Sequence, residues 1–88
     1  MQKWDYLRVC IEGGGNNGNL QSRPSKVYVI RDNGILEERK KENNDSDHAP
    51  VVSRLLKQLG DEGYELICSG SGAHNFEVVL YFKRPQND

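Results

Sequence analysis

One segment alone repeats its apolar residues at helical spacing: Val52, Leu55, Leu56 and Leu59 fall at i, i+3, i+4 and i+7, whereas the other apolar runs alternate with period two. A single helix covers one face of a sheet, so a chain with this pattern leaves the opposite face uncovered. That asymmetry bounds both the fold and the function.

The alternating runs read as strands. In residues 4–12, Leu7, Val9 and Ile11 share one side and Trp4, Tyr6, Arg8 and Cys10 the other, because successive side chains of a strand point to opposite faces. Lys26-Val27-Tyr28-Val29-Ile30-Arg31 is β-branched and aromatic, and Asp32-Asn33-Gly34 separates it from Ile35-Leu36-Glu37-Glu38. Asn-Gly tolerates the positive φ of a tight hairpin turn, so these two runs form a hairpin. Asp47 is placed to cap the helix, Pro50 suits its first turn, and Gly60 is expected to stop it. Tyr64-Glu65-Leu66-Ile67-Cys68 is the fourth strand, residues 69–75 a turn, and residues 76–83 the last strand, with Phe76, Val78, Leu80 and Phe82 on one face. The fold class is α+β: a small, mainly antiparallel β-sheet with one amphipathic helix, in the order β-β-β-α-β-β. Residues 1–88 form a single domain, with a flexible Gly/Asn-rich loop at 13–25 and a polar linker at 39–48.

Charge and cysteine content narrow the partners. The 88 residues carry 12 Lys+Arg against 13 Asp+Glu, a net charge of -1, which supplies no overall attraction for nucleic acid or an anionic membrane. Cys10 and Cys68 are too few for the disulfide framework of a small secreted domain. The first residues lack an apolar signal region, and no apolar run approaches the ~20 residues of a membrane span. A soluble, unprocessed cytoplasmic chain is the expectation.

If the helix covers Leu7, Val9, Ile11, Phe76, Val78, Leu80 and Phe82, then Trp4, Tyr6, Cys10, Val79 and Tyr81 point away from it, toward a partner or, alternatively, beneath the long loops. Exposed aromatics gathered on one face mark a binding or oligomer interface. Trp4, Tyr6, Val79 and Tyr81 are therefore the interface candidates. The function expected is a non-enzymatic self-association or protein-interaction module, a homo-oligomer whose loops present a surface to a further protein partner.

Lys3-Trp4-Asp5-Tyr6, Leu59-Gly60-Asp61-Glu62-Gly63-Tyr64-Glu65-Leu66 and Tyr81-Phe82-Lys83-Arg84-Pro85 together resemble the domain of unknown function 4177 family. Its members read K-W-E-Y, L-G-x-E-G-W-E-L and F-K-R-P in that order. This chain has Tyr64 where the family usually has Trp, and a long insert over residues 13–47. The resemblance implies a small β-rich fold and no catalytic residues.

Other motifs fit structure better than chemistry. Gly13-x-Gly15-x-x-Gly18 has the dinucleotide-binding spacing, but no helical pattern follows it. Asn43, Asp45, Asp47 and His48 match no calcium or zinc spacing, so no metal and no cofactor are assigned. Neither cysteine has the cationic neighbourhood of a reactive thiolate, and Asp61, Glu62 and Glu65 have no partner base, so no catalytic residue is named. The alternative function is phosphate or nucleotide binding by Arg8, Lys83 and Arg84. A third reading, weak single-stranded nucleic-acid binding, places Arg8, Lys26, Arg31, Lys83 and Arg84 on a sheet with Trp4, Tyr6 and Tyr28.

Overall fold

The computed structural model describes residues 1–13, 24–71 and 77–86. Most of the loop expected at 13–25, with its glycine motif, lies outside them, as do residues 72–75 of the turn expected at 69–75, Phe76 and the last two residues; Gly13, Pro24 and Ser25 belong to strands, and residues 69–71 extend a strand instead of turning.

Five strands and one helix follow the expected order: β1 (Trp4–Gly13), β2 (Pro24–Arg31), β3 (Leu36–Arg39), α1 (Ala49–Asp61), β4 (Glu65–Ser71) and β5 (Glu77–Pro85). They form one antiparallel sheet in the order β3-β2-β1-β5-β4. The first and last strands are thus neighbours at its centre. Each step across this order reverses direction, so β3 and β4 run the same way on opposite edges, and the chain must return between them. Helix α1, with 13 residues and a length of ~20 Å, makes that return.

The register places the apolar face. Leu7 pairs with Phe82, Val9 with Leu80 and Ile11 with Val78 on one side of β1, and Val9 with Val29 and Ile11 with Val27 on the other. Leu7, Val9, Val27, Val29 and Phe82 are buried beneath Val51, Leu55 and Leu59 of α1 and beside Tyr64. Full burial of an aliphatic side chain contributes ~1.5–3 kcal/mol, and Val9, Val27, Val29 and Leu59 are completely enclosed.

The helix stripe differs from the spacing read in the sequence. Val51, Leu55 and Leu59 are buried, Val52 is only partly so, and Leu56 is exposed. With valine at both 51 and 52, periodicity fits either stripe; the sheet selects the 51/55/59 one. Gly60 does not end the helix as expected. It lies inside α1, which runs on to Asp61, and the left-handed residue is Gly63, at φ 90°. There Gly63 N–H donates to the Gly60 carbonyl at 3.0 Å and Tyr64 N–H to the Leu59 carbonyl at 2.9 Å, closing the last turn.

At the other end the cap position falls to His48, whose side chain makes no capping bond; Asp47, one residue earlier than a cap, accepts a 2.8 Å hydrogen bond from Ala49 N–H, and Pro50 stands in the first turn. The polar stretch before it is anchored: Arg54 donates to both carboxylate oxygens of Asp45, at 3.1 and 2.6 Å. The hairpin turn also uses its glycine. Gly34 has φ 85° and donates to the Arg31 carbonyl at 2.9 Å, while Asn33 stays at negative φ and its Oδ1 accepts from Ile35 N–H at 3.0 Å.

One helix is ~10–12 Å wide, and five strands span about 19 Å. Among the described residues the sheet is therefore only half roofed even on its helix side. Leu66 and Ile67 of β4 are exposed, and Ile67 sits at a bulge between Leu66 and Cys68. No helix is long and apolar enough to cross a membrane among the described residues.

Candidate functional site

The face opposite α1 carries the even-numbered residues of β1. In register across all five strands lie Leu36, Ile30, Arg8, Tyr81 and Cys68. The next rows hold Glu38, Tyr28, Cys10, Val79 and Gly70 on one side, and Tyr6, Lys83 and Glu65 on the other. Among the described residues, no element packs over this face.

Its members are not equally available. Leu36 is 56% exposed, Tyr6 51% and Tyr81 39%. Val79 and Cys10 point to this face, as expected, yet each is only 5% exposed, so neither offers much surface. Their cover has an identifiable source. Tyr28 on β2 donates a 2.7 Å hydrogen bond to Glu77 on β5, and these strands flank β1 two spacings, or ~10 Å, apart. To make the bond, the phenol must lie across β1 near Cys10. Burial, then the charge of Glu77, pushes the Cys10 thiol up from its ordinary pKa, opposite to what a nucleophilic cysteine requires. Cys68 is exposed.

Trp4 is half-buried, with the Lys83 ammonium 4.2 Å from its ring centre. That same ammonium stands 3.9 Å from Glu65. Arg84, the next residue along β5, necessarily points to the helix side. Its guanidinium lies 4.4 Å from the Tyr64 ring centre, 3.3 Å from Asp5, and donates to the Glu62 carbonyl at 3.0 Å. These contacts draw the start of β1, the end of α1 and the end of β5 into one clamp.

Arg8, Lys83 and Arg84 therefore do not converge. Arg8 and Lys83 share the open face, Arg84 faces the other way, and Lys83 and Arg84 are already engaged. Arg8 is exposed and makes no hydrogen bond or ion pair among the described residues. It borders a shallow recess of about 310 Å³ with Tyr6, Ile30, Asp32 and Tyr81. Among the described residues there is no group of three or more His, Cys, Asp or Glu placed to hold a metal.

Ile30, Leu36 and Glu38 belong to this face and went unassigned in the sequence. Their alternation was readable, but their side of the sheet depends on how β2 pairs with β1 across residues 14–23. Comparison of the chain with protein-family models, with curated proteins and with solved structures yields no match.

Proposed function

We propose that this chain is a non-enzymatic cytoplasmic module that associates, foremost with itself, through the open face of its sheet. The observation that carries the reading is the band of Leu36, Ile30 and Tyr81, continued by Tyr6, which no element covers among the described residues. Apolar and aromatic side chains grouped in this way gain most by being removed from water against a partner.

Solution mass across a concentration series tests the proposal. The wild-type mass should rise above the 10.0 kDa of one chain, and Tyr6→Glu/Tyr81→Glu should remain monomeric with an unchanged circular dichroism spectrum. A wild type that is monomeric throughout, or a double variant that associates as well as wild type, overturns it.

A second reading rests on Arg8, a cation without a partner among the described residues and beside an aromatic-lined recess, which suits a phosphate or nucleotide. Raised melting temperature with millimolar nucleotide, abolished by Arg8→Ala, is the outcome expected of it; no shift in the wild type removes it.

A further inference from the structure

Burying an unpaired guanidinium in an apolar interface is strongly unfavourable, so whatever occupies the open face must bring an anion to Arg8. The face holds one carboxylate suited to do so from a second copy. Glu38 on β3 is exposed and, like Arg8, has no hydrogen bond or ion pair among the described residues. Of the others, Glu65 is near Lys83, Glu77 is buried with Tyr28, Glu12 is half-buried and already engaged, and Asp32 borders the recess of Arg8 in its own chain.

The placement of the two charges is self-complementary. Arg8 is in register with Ile30, and Ile30 with Leu36. Glu38 lies one step further along the face, beside Tyr28. Two strand spacings and two residues separate Arg8 from Glu38 by ~12 Å. Their midpoint lies over β2, between Ile30 and Tyr28. A two-fold axis there, lying between two stacked faces and perpendicular to the Arg8–Glu38 line, sets Arg8 of each copy opposite Glu38 of the other. The same operation lays Ile30 against Leu36, the most exposed apolar side chain of this face.

Resting on the open-face reading above, we infer that the occupant is a second copy of this chain, held by two reciprocal Arg8–Glu38 ion pairs around a centre of Ile30 and Leu36. Such an interface is isologous, the commonest form of soluble dimer. The like charges that would meet if Arg8 faced Arg8 are avoided by the same geometry.

Charge exchange tests the pairing. Arg8→Glu and Glu38→Arg should each weaken dimerisation at least tenfold by sedimentation, because each opposes like charges twice. Mixing the two variants should restore a dimer, since both heterologous pairs are again opposite in sign, and Arg8→Glu/Glu38→Arg should restore it within one chain. Dimerisation lost in Tyr6→Glu/Tyr81→Glu but indifferent to the exchanges overturns the Arg8–Glu38 pairing and leaves the open-face reading standing. An oligomer insensitive to every open-face substitution overturns both, as does a wild type that stays monomeric. Single variants that dissociate without rescue on mixing also overturn the pairing.

Discussion

Tyr28 reaches over the central strand to donate its phenolic proton to Glu77, a carboxylate only 8% exposed, at 2.7 Å. The bond to the carboxylate, with burial second, drives the tyrosine pKa far above its usual value, so the phenol remains a donor at any ordinary pH. Tyr28→Phe keeps the ring and removes the donor. It should cost about 1–2 kcal/mol, lowering the melting temperature by ~4–8 °C per kcal/mol for a domain of this size. Cys10 should also label faster with iodoacetamide in the variant. Unchanged melting and labelling would show that the bond contributes nothing.

Arg84 ties three distant segments together through Asp5, Glu62 and Tyr64. Arg84→Ala should destabilise the fold by about 2 kcal/mol, combining a charge-assisted hydrogen bond with ring stacking. Arg84→Lys should recover less than half of this, because an ammonium cannot both stack flat and fork. Urea midpoints check both; variants as stable as wild type would mean that the clamp is not structural.

The two glycines near the end of α1 should respond with opposite signs. Gly60 is helical with nothing within 4 Å of an added Cβ, so Gly60→Ala should stabilise by ~0.5–1 kcal/mol. Gly63 has equal space but φ 90°, and Gly63→Ala should destabilise by ~1–2 kcal/mol. Thermal melts of the pair decide it; equal effects would contradict the assigned helix end.

Asp45 accepts hydrogen bonds from Arg54 and from Glu42 N–H, and these hold its carboxyl down at about 2, below the ordinary 3.8. Because the folded-state value is depressed, the stabilisation is complete above about pH 4 and is lost as pH falls towards about 2. Asp45→Asn should be less stable than wild type at neutral pH, with the difference narrowing through that acid window. Urea titrations from pH 6 down to pH 2 measure it; a difference constant with pH would rule the ion pair out as its source.

The strands, the helix and their order were legible because each depends on near neighbours. Leu7, Val9 and Ile11 alternate whatever follows them, and Asn33-Gly34 turns the chain within a few residues. The interface candidates were partly legible for the same reason: Trp4, Tyr6, Val79 and Tyr81 share a parity that places them opposite the helix. Their exposure was not. Val79 is covered and Trp4 is engaged by Lys83, whereas Leu36 stands open on a strand whose pairing partner is fixed only after the hairpin docks.

Local alternation and turn chemistry therefore settle what each segment is, since an amphipathic run has one favourable period and a glycine at positive φ has few substitutes. Which segments meet was decided in three dimensions. That β1 and β5 lie together, that Tyr28 finds Glu77, that Arg84 and Lys83 part to opposite faces, and that Arg8 stands apart from both all follow from strand order and register. Those depend on packing one helix across a sheet wider than itself, an interaction among residues far apart in the chain that no short stretch encodes.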